Sequence, residues 1–226
     1  MTKFTRIFVW AGGAAFVTSL AMCAWWYGVR LGRPAPTAGW RALAWDLGIF
    51  TVFALHHSLC ARDPIKRWLI VVPPPVLRSV YIWTASLLLI GVCLAWQPIG
   101  GDVYDVGGVT AGAFASVQLA GLWITARAIA RIDPLELAGI RPAAAAEALQ
   151  IDGPYRWVRH PVYLGWLLMV FGAAHLTRDR LAFATISSLY LFVAVAWEER
   201  SLRQSCGEAY ARYQQQVKWR IIPFVY

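Results

Sequence analysis

Two short segments carry side chains whose types and spacing suit chemistry, and the first is 153–165. It places Arg156, Arg159 and His160 directly before an apolar run. Pro161 suits the first turn of a helix, where its missing N–H would be unpaired in any case. The remaining free N–H groups and the nearby cations make this helix start attractive to an anion such as a carboxylate. Each cation taken singly is also typical of an anchor at a membrane interface.

The second segment is the pair Glu198 and Glu199, which follows another apolar run. Acidic groups at a membrane surface are costly to desolvate, so we expect a cation to face them. The simpler alternative is a solvated helix start that pairs with Arg200 or Arg203.

Composition places these segments in a membrane protein. Of the 226 residues, 59% are hydrophobic and 15% are charged, which favours a membrane bundle over one soluble domain. The net charge of +9 comes from short basic tracts between apolar runs. Such tracts are typical of topology signals and of contacts with membrane lipids, and we predict no nucleic-acid partner. Four cysteines lie far apart, which indicates neither a disulfide framework nor a zinc site.

Apolar windows of membrane-spanning length predict an all-α polytopic membrane helix bundle of five to six transmembrane helices. We favour six spans, with five as the alternative, because the fifth window is short and the sixth follows a tight connection. These last two are expected to form a tilted hairpin. The windows centre on residues 7–29, 40–59, 76–97, 107–130, 162–176 and 181–197.

The segments outside the spans set the expected topology. With the N-terminus inside, most of the 21 Lys and Arg residues lie inside, so both termini are predicted to be cytoplasmic. Apolar residues recur at near-helical spacing in the tail 198–226, which predicts a C-terminal amphipathic helix at the membrane surface. We expect a single membrane domain, 1–226, with an N-terminal four-helix part, 1–130, and a part that carries both motifs, 131–226. Nothing in these patterns selects an oligomeric state.

Taken together, the motifs resemble the isoprenylcysteine carboxyl methyltransferase and phospholipid methyltransferase superfamily over about residues 150–226. Upstream, His57-Ser58-Leu59 with Lys66, and residues 132–141, are similar to the bacterial branch that contains the methanethiol S-methyltransferases and the NnrU proteins. The matching positions of the main motifs are Arg159-His160-Pro161-x-Tyr163-x-Gly165, Glu198-Glu199, Cys206-Gly207-x-x-Tyr210-x-x-Tyr213 and Ile222-Pro223-Phe224.

The resemblance implies a pocket for S-adenosylmethionine between the hairpin and the tail. The charges suit this ligand, because its amino-acid end needs a cation and an anion and its sulfonium is stabilised by carboxylates or aromatic faces. Catalytic roles are implied for Arg156, Arg159 and Glu199, with one of the two arginines holding the acceptor. The implied cofactor-binding residues are Arg159, His160, Pro161, Tyr163, Gly165, Glu198, Glu199, Tyr210 and Tyr213.

The implied reaction is methyl transfer to a thiol or carboxylate of a small apolar or lipid-linked acceptor that arrives from the membrane. The enzyme would align the reactants and exclude water, and a thiol would first have to lose its proton. The bacterial branch implies an inner-membrane location.

A second hypothesis is a haem-binding redox or isomerase protein of NnrU type. His56 and Cys60 lie on one helix face beside His57, and histidine within a membrane is often functional. The same histidines also suit an interface position at a helix end, and visible absorbance would distinguish the two. A non-catalytic membrane scaffold is the third reading.

Overall fold

A computed structural model describes residues 2–60, 74–132, 134–141 and 149–226. By its internal contacts the chain divides into unit 1, Met1–Gly101 with Asp133–Ala144, and unit 2, Asp102–Ile132 with Ala145–Tyr226. The single domain expected over 1–226 stays a prediction. The helices and strands, in chain order, are α1 Lys3–Trp25 with a π-helical turn Trp26–Arg30, α2 Trp40–Cys60, α3 Pro74–Ala95, β1 Asp102–Asp105, α4 Gly108–Ile129, α5 Pro134–Leu137, a 3-10 turn Gly153–Arg156, α6 Pro161–Phe171, β2 His175–Thr177 and α7 Arg178–Gln216.

The prediction of an all-α membrane bundle is confirmed. Within the described ranges, five helices are long and apolar enough to cross a membrane: α1 with its π-helical turn, α2, α3, α4 and α7. The chain is an integral membrane protein. The fifth predicted span, α6, has only 11 residues, or about 16 Å of helix, while the apolar core of a bilayer is about 30 Å thick. The described chain thus has five long spans and one short apolar helix.

In unit 1, α1 and α3 approach closely because α1 carries glycine at the contact. A Cβ atom on Gly12 would lie 3.0 Å from both Ser79 Oγ and Trp83 Nε1. Small residues let membrane helices pack backbone to backbone, where the apolar solvent gives little drive for association. The start of α1 is fixed by Thr2, whose hydroxyl accepts a hydrogen bond from the Thr5 N–H at 3.2 Å.

In unit 2, two short strands fix the direction of α6. β1 precedes α4, β2 lies between α6 and α7, and the strands pair antiparallel. The His175 ring also lies 2.8 Å from the Asp102 carboxylate. The turn between α6 and α7 therefore sits at the end of unit 2 where α4 begins, and the start of α6 at Pro161 sits at the opposite end. The short helix α6 and the non-helical residues on either side of it thus together extend from one end of unit 2 to the other.

Gly165 holds α6 against α4. A Cβ atom at this position would collide with Thr125 Oγ1 and would lie 2.7 Å from the carbonyl oxygen of Gly121. Only glycine permits this approach, so the contact fixes the depth of α6 beside α4. Gly165 was predicted to bind the cofactor. Its contacts here are packing contacts, and the binding role stays a prediction.

The tail departs from a straight amphipathic helix at Gly207. In a continuous helix, side chains 15 residues apart would be separated by about 22 Å, yet Gln214 Nε2 lies 3.4 Å from Glu199 Oε2. The chain folds back at Gly207, whose φ of 51° and ψ of −125° are far from helical values. This backbone conformation is available essentially to glycine alone. The fold-back brings residues 210–216 alongside residues 199–206.

We expect Gly207→Ala to destabilise the folded tail by about 1–3 kcal/mol, because alanine is strained at this φ and ψ. No atom lies within 4 Å of the added Cβ, so the effect is one of backbone strain and not of steric overlap. Thermal unfolding of purified protein in detergent measures it.

Gly112→Ala is the matched control, because this glycine of α4 also has nothing within 4 Å and has no positive φ. The control should be neutral or slightly stabilising. Equal unfolding temperatures for the two variants would show that the fold-back does not depend on glycine.

Candidate active site

The centre of the site is a buried ion pair between Arg159 and Glu199. Arg159 Nε lies 2.6 Å from Glu199 Oε1, and both side chains are only 7% exposed. Arg159 Nη1 also donates to the carbonyl oxygens of Val217 at 2.7 Å and Lys218 at 2.8 Å. Buried charges are tolerated when they are paired and fully hydrogen-bonded. This guanidinium therefore ties the start of α6, the long helix α7 and the chain that follows α7 to one point.

Backbone hydrogen bonds reinforce this junction. The N–H of Arg159 donates to the Trp219 carbonyl at 2.9 Å, and the N–H of His160 donates to the Arg220 carbonyl at 2.8 Å. The residue after the junction, Pro161, begins α6, as its position in the sequence predicts. The extended chain 217–220 thus covers the helix start that the sequence indicated as an anion site.

Glu199 has two further ionisable partners, of which one is in the tail. Arg220 Nε lies 3.2 Å from Glu199 Oε2, and His160 Nε2 lies 3.5 Å from Glu199 Oε1. The alternative of a solvated start paired with Arg200 or Arg203 is wrong for Glu199, because this carboxylate is buried and its cations are Arg159 and Arg220. The expected cations are present as Arg159 and Arg220, and both are distant from Glu199 in the sequence.

Glu198 is the more accessible carboxylate, with 45% of its side chain exposed. The Tyr163 hydroxyl donates to Glu198 Oε2 at 2.6 Å, and His160 Nδ1 lies 3.6 Å from the same oxygen. The His160 and Tyr163 rings stack, with centroids 5.4 Å apart. The imidazole therefore lies between the two carboxylates, and Glu198 retains access to a ligand.

Three tyrosines form a wall behind this cluster. Tyr210 and Tyr213 are buried and lie 6.0 Å apart by ring centroid, and the Tyr213 hydroxyl donates to the Tyr155 carbonyl at 2.8 Å. Burial and the negative charge of Glu198 raise the pKa of Tyr155, so this phenol stays neutral at physiological pH. The wall excludes water from the ion pair and adds no charge to it.

Tyr226 is a site residue that the sequence did not reveal. Arg220 Nη1 donates to the Tyr226 hydroxyl at 2.8 Å, and the guanidinium lies 5.1 Å from the Tyr226 ring centroid. The hydrogen bond to Tyr226 raises the pKa of Arg220, which stays positively charged. A tight turn, closed by the Tyr226 N–H to the Ile222 carbonyl at 3.0 Å, produces this contact. Spacing in the sequence gave no signal for it.

An apolar cavity of about 610 Å³ lies in the same unit, between α4, α6 and α7. No charged side chain lines it, and its polar lining residues are Thr185 and Ser188. Phe192 lines the cavity and also packs edge-on against Tyr226, with ring centroids 5.5 Å apart. The uncharged cavity and the charged cluster therefore share a wall.

The structure gathers most of the predicted site residues. Arg159, His160, Tyr163, Glu198 and Glu199 form the cluster, with Tyr210 and Tyr213 behind it. Arg156 is not part of these contacts, since it pairs loosely with Asp152 at 3.7 Å on an exposed surface. The catalytic roles predicted for Arg156, Arg159 and Glu199 stay predictions.

The histidines of α2 lie in unit 1. The Tyr81 hydroxyl is 3.0 Å from His57 Nδ1, and the His56 ring stacks on Tyr81 at 5.6 Å. Within the described part of the chain, no three His, Cys, Asp or Glu side chains gather as metal ligands. Lys66 and the side chain of Cys60 lie outside the described residues.

Comparison with known proteins identifies the family of this membrane protein. The sequence profile of the isoprenylcysteine carboxyl methyltransferase family matches residues 143–204, which contain the Arg159 and Glu199 segments. The chain belongs to this family and is a membrane methyltransferase.

Several relatives are similar over most of the chain. A methanethiol S-methyltransferase of Crocosphaera subtropica is 33% identical over 194 residues, which cover 81% of this chain and 76% of the relative. One of Pseudomonas deceptionensis is 33% identical over 80% of this chain and 74% of the relative. Nurim of Sus scrofa is 27% identical over 84% and 81%. No solved structure matches.

Arg159→Gln should destabilise the protein by about 3–5 kcal/mol, because it leaves the Glu199 carboxylate buried without its closest cation. Arg159→Lys should recover only part of this loss, since an ammonium cannot reproduce the fork that contacts Glu199 and two carbonyls. Unfolding midpoints in detergent measure both variants.

Arg212→Gln removes the same charge from an exposed position of α7 and should change the midpoint little. The junction is not the structural centre of this site if Arg159→Gln behaves like that control.

Proposed function

We propose that this chain transfers the methyl group of S-adenosylmethionine to the sulfur of an apolar thiol within the membrane. The observation that carries the proposal is that a charged cluster and an uncharged cavity share a wall. The cluster consists of two carboxylates, His160 and Arg220. Membership of the methyltransferase family and relatives named methanethiol S-methyltransferase support this acceptor class.

The residues present fit S-adenosylmethionine. Glu198 is half exposed and presents a carboxylate for the ammonium or the sulfonium. Arg220 is 38% exposed and presents a guanidinium for the carboxylate of the donor. The imidazole of buried His160, with Nδ1 3.6 Å from Glu198 Oε2, lies next to the oxygen that the donor would contact. Aromatic faces of Tyr163 and Tyr226 suit a sulfonium.

In this proposal the predicted binding residues divide into two groups. Glu198, His160 and Tyr163 contact the donor, while Arg159 and Glu199 hold those groups in place through the buried junction. When bound, S-adenosylmethionine supplies a methyl group on a sulfonium, which makes that carbon open to attack by sulfur. Tyr210 and Tyr213 keep water from the cluster, so the charged side chains keep their orientation without reorganising.

The chain must also remove a proton from a thiol acceptor, because the thiolate is the nucleophile. We assign this proton to Glu198, the more exposed carboxylate of the cluster, since Glu199 is committed to Arg159 and Arg220. In the balanced reaction, the acceptor sulfur gains the methyl carbon, the bond from that carbon to the sulfonium breaks, and the thiol proton leaves through Glu198 to water.

The cavity favours a thiol over a carboxylate as the acceptor group. A neutral thiol can enter an uncharged cavity at little cost, whereas a carboxylate there would lose its hydration without gaining a cation. The volume of about 610 Å³ also leaves room for an apolar group larger than methyl. A bacterial inner-membrane location with cytoplasmic termini, supported by the distribution of Lys and Arg, would put the charged cluster on the side where the donor is made.

We expect Glu198→Gln to weaken binding of S-adenosylmethionine about 10-fold to 100-fold, because it removes a charge-assisted contact. Tyr163→Phe should weaken binding less, since it removes only the hydrogen bond that orients Glu198. Calorimetry on detergent-purified protein measures both.

Glu208→Gln removes an exposed carboxylate of α7 outside the cluster and should leave binding unchanged. The proposal fails if wild-type protein that is well folded binds no S-adenosylmethionine, or if Glu208→Gln weakens binding as much as Glu198→Gln.

For the acceptor, we expect hexanethiol to be methylated and hexanoate not, although both compounds have six carbon atoms. Leu189→Trp, which fills part of the cavity, should slow methylation of hexanethiol at least several-fold and leave donor binding intact. Formation of the thioether is followed by mass spectrometry.

Leu119→Trp is the matched control, because this exposed leucine of α4 does not line the cavity. Methylation of hexanoate in preference to hexanethiol would overturn the thiol assignment. Equal effects of the two tryptophan variants would remove the cavity from the acceptor path.

A further inference from the structure

A second pocket in unit 2 opens beside the junction, on the surface that carries Arg156. It has a volume of about 460 Å³ and is lined by two cations, Arg156 and Lys218, and by three aromatic side chains, Trp157, Trp219 and Phe224. The chain from 217 to 220 separates this pocket from Arg159. The guanidinium of Arg159 donates hydrogen bonds to carbonyl oxygens of that chain. The side chains of this second pocket have no part in the proposed methyl transfer.

The cations of this pocket are available to an anion. Arg156 is 75% exposed on its side chain, and its 3.7 Å contact with Asp152, itself 60% exposed, is the loose kind of surface pair that contributes little. Lys218 is exposed and makes no ion pair with any residue in the described ranges. Two cations against one weakly held carboxylate leave the pocket with a positive charge.

The tryptophan side chains place the pocket near the edge of the apolar core of the bilayer. Trp157 stacks on Trp123 with ring centroids 6.1 Å apart, and Trp123 lies six residues before the end of α4, about 9 Å along its axis. Because α4 has 22 residues, or about 33 Å, and the apolar core is about 30 Å thick, the stacked rings lie several ångströms inside the edge of the core, next to the membrane interface. Tryptophan is enriched there because its ring is apolar and its N–H is polar.

Phe224 adds a feature that water would not favour. Its side chain is 85% exposed, and its φ of 65° is a conformation that non-glycine residues rarely adopt. The turn around it is held by three N–H groups, of Arg220, Ile221 and Ile222, that donate to the Tyr226 carbonyl. The backbone at Phe224 is thus strained while it holds an aromatic ring outward. This orientation is favourable when the ring enters lipid.

We propose that this pocket binds the phosphate of an anionic phospholipid headgroup, with Arg156 and Lys218 as the donors and Phe224 among the acyl chains. Two cations at a membrane surface favour anionic over zwitterionic lipid. Interface aromatics and an outward phenylalanine select a lipid over a phosphate compound dissolved in water. The inference does not depend on the proposed function.

The test uses the full chain in nanodiscs of phosphatidylcholine alone or mixed in equal parts with phosphatidylglycerol. Native mass spectrometry counts the lipids that stay bound after release from the disc. Wild type should retain phosphatidylglycerol in preference to phosphatidylcholine. The double variant Arg156→Ala/Lys218→Ala should weaken this retention by about 25-fold, since each cation near the surface contributes on the order of a 5-fold effect.

The matched control is Arg200→Ala/Arg212→Ala, which removes the same charge from exposed positions of α7 that do not line the pocket. It should retain phosphatidylglycerol as wild type does. Equal losses in the two double variants, or no preference in wild type, would overturn the proposal. Glycerol 1-phosphate serves as the soluble competitor, and displacement of the lipid by this compound would assign the pocket to a dissolved phosphate ester instead.

Discussion

The arrangement of unit 2 depends on one buried charge. Arg159 is almost fully enclosed, and an enclosed guanidinium must have an anion and hydrogen-bond acceptors in fixed positions. The anion is Glu199, and the acceptors are carbonyl oxygens of the chain after α7. Satisfying this single group therefore determines where three separate segments meet. The more accessible groups, Glu198 and Arg220, acquire their positions as neighbours of that junction.

Two glycines allow α6 and the tail to meet at the junction. At Gly165 the absence of a side chain lets α6 lie against α4, which sets the position of the residues that precede α6. At Gly207 the absence of a side chain permits a backbone conformation that turns the tail back along α7. The first effect is one of close packing and the second is one of backbone conformation, and each acts several residues away from the charges that it positions.

Much of the fold follows from local properties of the sequence. Apolarity and length identify α2 as 40–59 where the helix is Trp40–Cys60, and α4 as 107–130 where it is Gly108–Ile129. The window 162–176 fails at its end, because residues 175–177 pair with a strand at least 70 residues earlier. Hydropathy contains no information about such pairing. The tail was predicted as helix, but its reversal depends on tertiary contacts that select an unusual conformation of Gly207.

The residues of the site also fall into two groups, those that the sequence could predict and those that it could not. Arg159, His160, Glu198 and Glu199 could be assigned together because their charges stand beside apolar runs and because their combination resembles a family pattern. Tyr226 and Gln214 could not, since they reach the cluster only through the turn near the end of the chain and the fold-back. Residue type reveals a group that is costly to bury. It does not reveal which distant group will be folded against it.

The order of the chain gives the junction a consequence for biosynthesis. Arg159 precedes Glu199 by 40 residues and precedes its carbonyl partners by nearly 60. When α6 enters the membrane from a ribosome, the guanidinium beside it arrives before its final partners have emerged. Until the tail emerges, the charge must be met by water, by lipid phosphates or by the insertion machinery. The cluster is therefore assembled last, and a chain whose synthesis stopped within α7 would be inserted in the bilayer without a completed site.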